Sequence, residues 1–210
     1  MRTTLFALLA LALVLPASAQ NRFFDLGLNA VWVDPSNNGS FRDLADPTTI
    51  NFDPSVGYGA SANVFFSDRF SVEFAISRVN TATTIRRRAV SNPGGDLQMM
   101  PITGVVQWHF APHAFIDPYI GAGAAYVLFD DVKDNGLNGI QRINFKDDAG
   151  LAVNAGLGIR LGNRFGINVD GKYVPLESNA RATVLGTGQT SESKVNISPI
   201  IVSAGLTIRF

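Results

Sequence analysis

Few residues in this 210-residue chain have the types and spacing that catalysis or metal binding needs. There are two histidines, His109 and His113, and no cysteine. An H-x-x-x-H zinc pair needs both rings on one face of a helix. Pro112 lies between the two and breaks any such helix, so no metal site is expected. No hydroxyl reads as paired with a general base, so the chain is not expected to be an enzyme. Gly121-Ala122-Gly123 lacks the third glycine and the following helix of a nucleotide loop. Its expected use is strand bending and close packing. Asp131 to Gly136 begins like a calcium loop, but Lys133 holds a ligand position. Arg142 stands where the bidentate glutamate belongs. No cofactor is implied.

What remains is a set of polar residues in alternating, strand-like segments: Glu73, His109, Asn154, Arg160, Asn168, Asp170, Lys172 and Arg209. A second feature is the run Arg86-Arg87-Arg88. Guanidinium forks bind phosphate bidentately, so this run is a candidate contact for lipopolysaccharide. Its plainer reading is a solvated loop.

The positioning elements are strands. In the last segment Ile200, Val202, Ala204, Leu206, Ile208 and Phe210 share one face, and Ile201, Ser203, Gly205, Thr207 and Arg209 the other. The same alternation runs through 70–77, 102–110, 151–161 and 165–173, and more weakly through about 22–33, 55–66 and 118–129. Connections alternate in length. Those at 67–69, 111–115 and 162–164 are short; those near 34–54, 79–98, 130–147 and 177–194 are long and polar. Short turns at one end and long loops at the other predict an all-β fold. It is an eight-stranded antiparallel up-and-down transmembrane barrel with periplasmic termini. Aromatics near the short-turn end (Phe23, Phe24, Phe66, Phe70, Phe110, Tyr119, Phe165 and Phe210) predict an interfacial ring. Trp32, Phe129 and Tyr173 predict a thinner outer one. The polar face then lines the interior, where opposite charges pair.

Composition agrees. Charged residues are 16% of the chain, against roughly 25% in an ordinary soluble domain. Seventeen basic residues balance 17 acidic ones, which argues against a nucleic-acid partner. Residues 1–19 read as a secretory signal peptide. They comprise Arg2, an apolar stretch from Leu5 to Leu15, and an Ala17-Ser18-Ala19 cleavage site. The barrel domain is then 20–210, exported to the outer membrane of a Gram-negative-type bacterium. Its expected partners are outer-membrane lipid, lipopolysaccharide and the barrel-assembly machinery. The structural rival is a soluble lipocalin-like barrel, with its apolar face hidden inside.

Several segments are similar to the OmpW-like outer-membrane proteins. They are Met100 to Phe110, Pro118-Tyr119-Ile120-Gly121-Ala122-Gly123 through Tyr126, Phe145 to Asp148, Ala155 to Gly158, Asn168 to Tyr173 and Leu206 to Phe210. The likeness covers most of the chain from about residue 99. It implies a narrow, largely apolar channel for small hydrophobic molecules. Some members place a bulky aromatic on the inward face of strand seven, where this chain has Lys172. Lipid A deacylases are barrels of similar size, but their His-x-Ser-Asn motif is missing, since Phe110-Ala111-Pro112 follows His109. The expected function is passive uptake of small apolar molecules, with inward Gly and Ala leaving space and Lys172, Asp170 and Arg160 limiting passage. The alternative is a plugged structural or receptor barrel whose loops bind lipopolysaccharide, phage or a surface.

Overall fold

The computed structural model describes residues 23–35, 39–41, 48–87, 90–130, 132–133, 140–184 and 190–210. The expected signal peptide at 1–19, Arg88, the side chains of Arg87 and Arg142, and most of Asp131 to Gly136 lie outside the described residues.

Eight strands form the wall: β1 (Phe24–Asp34), β2 (Ser55–Phe65), β3 (Phe70–Arg87), β4 (Val90–His109), β5 (Ile116–Phe129), β6 (Asp148–Arg160), β7 (Phe165–Tyr173) and β8 (Ile200–Arg209). Each pairs antiparallel with its chain neighbours. β8 returns to β1 in a ladder from Asp25↔Arg209 to Asp34↔Ile200 and closes the barrel. Closure leaves no edge, which a sheet in hydrocarbon requires because each unpaired backbone group there costs several kcal/mol.

Alternation then assigns the faces. Leu28 is 74% exposed, Leu151 72% and Leu206 66%, all on the outer surface. Glu73 and Asp170 are 3% and 1% exposed, inside. The apolar face therefore points out, the reverse of a lipocalin-like barrel. Short turns at 66–69, 110–115 and 161–164 join the strands at one end. Gly162 adopts φ +117° in the last of them, a conformation that L side chains rarely take.

The aromatic rings differ from expectation at two places. Phe66, Phe70, Phe110, Phe165 and Phe210 are exposed near the short turns, and Phe115 joins them. Tyr119 does not; it is buried inside the barrel. At the other end Trp32 and Tyr173 face outward with Tyr58 and Tyr126, while Phe129 is buried inside. The reason is parity. On β5 the even positions face out and the odd ones face in, so residues 119 and 129 cannot reach lipid.

The long connections are also more regular than expected. The stretch at 79–98 is mostly strand: β3 and β4 continue as a hairpin to Arg87↔Val90. Thr48–Phe52 pairs with the upper part of β3, and Gly39–Phe41 pairs with it in turn. Val132–Lys133, Ile140–Phe145, Leu176–Val184 and Thr190–Ile197 form a separate four-stranded sheet. β-Branched residues such as Thr81, Thr83 and Thr84 favour strand geometry in the β3–β4 hairpin, and Thr81 and Thr83 turn their side chains inward.

The β3–β4 ladder is interrupted. It runs from Phe70↔Trp108 to Ile76↔Ile102 and resumes at Val79↔Met99. Ser77 and Arg78 thus stand opposite Pro101 and Met100 without ladder pairing. Pro101 has no N–H to donate.

Leu28 lies near the middle of β1, opposite Leu206 on β8. Leu28→Arg is expected to destabilise the folded barrel by about 2–4 kcal/mol in lipid vesicles, read as a fall in the urea midpoint. An unchanged midpoint would remove this row from the bilayer.

Candidate functional site

The interior has two storeys. The lower, toward the short turns, is polar and cross-braced. Lys172 Nζ on β7 lies 2.8 Å from Glu73 Oε1 on β3. These strands stand on opposite sides of the ring, so the ion pair spans the lumen. Lys172 also pairs with Asp170, two residues earlier on the same inward row. Asn154 Nδ2 on β6 donates to Asp170 Oδ2 at 2.8 Å. The Tyr119 hydroxyl lies 3.0 Å from that oxygen and 2.9 Å from Asn168 Oδ1. One cation and two carboxylates thus share a site closed by neutral donors, which is how buried charge is tolerated.

Beside this cluster Ser71 Oγ lies 2.9 Å from His109 Nε2, and His109 Nδ1 lies 2.8 Å from Asp117 Oδ2. The order is that of nucleophile, base and orienting carboxylate. The expectation that no hydroxyl meets a base is therefore wrong. The contact joins β3, β4 and the start of β5, and sequence spacing gives no sign of it. Ser71 is fully buried, and the imidazole sits between the rings of Phe65 and Tyr119, with centroids 5.1 and 5.3 Å away. In this conformation the three residues brace neighbouring strands. Asn63 Nδ2 adds a bond from β2 to Gln107 Oε1 at 2.8 Å.

The upper storey is mainly apolar. Val31, Val33, Val79, Leu97, Met99, Val105, Ala125, Val127, Phe129, Ala152, Val174, Leu176 and Ile201 form one buried cluster, with Phe52 packed against it. Val105, opposite Glu73, is its foot, and Thr81 and Thr83 are buried above Val79 on the same inward row. The sequence carries the signal: alternation fails in Val31-Trp32-Val33 and Val127-Leu128-Phe129, because both faces there are apolar.

Five of the eight polar residues singled out from sequence meet around Lys172: Glu73, Asn154, Asn168, Asp170 and Lys172 itself. His109 joins the neighbouring chain of contacts. Arg209 is buried at the end of β8, its Nε 3.9 Å from Asp25 Oδ2. Arg160 stands apart. It is half-buried at the end of β6, donating Nη2 to the Pro112 carbonyl at 2.7 Å. It is therefore too near the short turns to act with Lys172. Arg86 is exposed on the outer face of β3, near the hairpin tip. The inward glycines leave little space: a Cβ on Gly156 would fall on the Tyr119 hydroxyl. Cavities within the barrel are small, about 30 Å³ beside Lys172 and about 20 Å³ beside Glu73.

A closed eight-stranded antiparallel barrel with an apolar outer belt and aromatic rings is a transmembrane protein of the outer membrane. The chain belongs to the OmpW family, whose model matches residues 22–210. It is 30% identical over 147 residues to the uncharacterised outer-membrane protein y4mB of Sinorhizobium fredii, a match covering 70% of this chain and 62% of that protein. It therefore spans less than two thirds of that relative. It is 28% identical over 169 residues to outer membrane protein AlkL of Ectopseudomonas oleovorans, covering 80% and 68%. Its fold is similar to the crystal structure of OprG from Pseudomonas aeruginosa, with a TM-score of 0.79 at 19% identity over 90% of this chain and 96% of that one.

Lys172→Met leaves Glu73 and Asp170 buried without their cation. The expected loss is about 3–5 kcal/mol, measured by urea unfolding in vesicles. Adding Glu73→Gln is expected to recover part of it. A single variant as stable as the parent would show that the bridge does not hold the lower storey.

Proposed function

We propose that the barrel takes up small apolar molecules from outside and releases them sideways into the membrane. The observation that carries this reading is the enclosed apolar storey resting on an ion-paired floor. An apolar molecule gains by leaving water for the upper walls. Below it, passage would have to break the Lys172–Glu73 pair and desolvate both charges, which is costly. The axial route is therefore unfavourable, and the exit lies in the wall.

The interrupted ladder supports an exit between β3 and β4. It lies at the boundary between the storeys. The cavity of about 30 Å³ there touches Pro101 and Ser77 as well as Lys172 and Ile201. Parting two strands is cheaper where a backbone donor is missing from the ladder, as at Pro101. The OmpW-like resemblance supports the same class of cargo.

A second reading rests on β3. Its outer row changes from Phe74 and Ile76 to Arg78 and Arg86, both exposed. Cations just beyond the apolar belt suit lipopolysaccharide phosphates, so the outer surface also serves as a lipid contact.

Uptake into liposomes tests the first reading, with empty liposomes and an unrelated plugged barrel as controls. A small apolar tracer is expected to enter faster with the protein present, and a polar tracer of equal size is not. Pro101→Val, which restores an N–H opposite Ser77, is expected to slow apolar entry severalfold while the barrel stays folded. Equal entry of both tracers, or no flux of either through a folded barrel, would overturn the reading.

A further inference from the structure

The short-turn end of the barrel holds a cavity of about 370 Å³ that the uptake route does not use. It lies beneath the ion-paired floor, open to the periplasmic side. Each short turn contributes to it, with Asp68, His113 and Asn163 among the lining residues. Phe65, Arg160 and Arg209, the last residues of β2, β6 and β8, also line it. Its volume falls in the range of about 300–1,000 Å³ common for small-molecule sites.

Of its charged lining residues, Arg209 lies 3.9 Å from Asp25 and Asp68 lies 3.6 Å from His113 Nε2, which leaves Arg160. Arg160 has five N–H donors. Its bond to the Pro112 carbonyl fixes the head at the cavity wall. It has no carboxylate partner among the described residues. A half-buried guanidinium in that state favours an anion. Phe65 and Pro112 supply an apolar wall beside it.

We propose that this cavity binds a small organic carboxylate from the periplasmic side. The guanidinium of Arg160 takes the carboxylate in a two-bond fork, and Phe65 and Pro112 pack on the apolar remainder. Inorganic phosphate would meet the charge but not the wall, and a neutral amide of the same shape would meet the wall but not the charge. The site is separate from the apolar storey and does not depend on transport.

The test is calorimetric titration of the folded barrel in nanodiscs with benzoate, benzamide and inorganic phosphate. Benzoate is expected to bind roughly tenfold or more tightly than either of the others. Arg160→Gln is expected to weaken benzoate binding about tenfold, with the heat-dependent gel shift of the folded barrel retained. Asn163→Asp, an exposed turn variant, places a negative charge in the lining. It is expected to weaken benzoate and leave benzamide unchanged, which also separates this cavity from the apolar storey. No benzoate binding, equal binding of benzoate and benzamide, phosphate matching benzoate, or benzoate binding unaffected by Asn163→Asp would each overturn the proposal. So would parent-like benzoate binding by folded Arg160→Gln.

Discussion

Backbone polarity in hydrocarbon is the constraint on which this barrel depends. Every N–H and C=O at membrane depth needs a partner within the protein. Strands meet that need only by closing, and β8 on β1 completes the circle. Closure with period-two side chains then divides the residues into a lipid row and an interior row. Leu28, Ala60 and Leu206 meet at one level on the outside of three adjacent strands. Nothing on the outer face needs to be polar until the belt ends, and there the rows change to Tyr58, Arg78, Asp130 and Tyr173.

The interior answers a different constraint. Eight strands leave a core that side chains nearly fill, and this chain fills it in two ways. Near the short turns, charges and amides from both sides of the ring bind one another, with Lys172–Glu73 reaching across. Toward the long strands the filling is Val, Leu, Met and Phe. The boundary between them coincides with Pro101, where the wall has its gap in pairing. A polar floor, a packed apolar core and an interrupted ladder thus meet at one level, and the proposed uptake rests on that arrangement.

Much of this was legible in the sequence. Alternation located all eight strands and the outward rows of β3, β4, β6, β7 and β8. Charged residues on the opposite row marked Glu73, Asp170 and Lys172 as interior. Tyr119 and Phe129 were misplaced where residue type was weighed ahead of parity. Contacts across the lumen were not legible. Ser71, His109 and Asp117 meet only because β3, β4 and β5 adopt one register, and no local spacing encodes that. The extended hairpin at 79–98 was hidden by its polarity, since strands outside the membrane lose the apolar row that reveals them inside it.

The central claim is that the barrel has two apolar surfaces, one facing lipid and one enclosed above the ion-paired floor. Methyl NMR in nanodiscs carrying a spin label at the bilayer centre tests it most directly. Methyls of Leu28, Leu151 and Leu206 should broaden strongly, while those of Val31, Ala125 and Ala152, which face inward at belt height, keep more of their intensity. Broadening of the second set to the same degree would mean that no enclosed apolar core exists, and the account would fail.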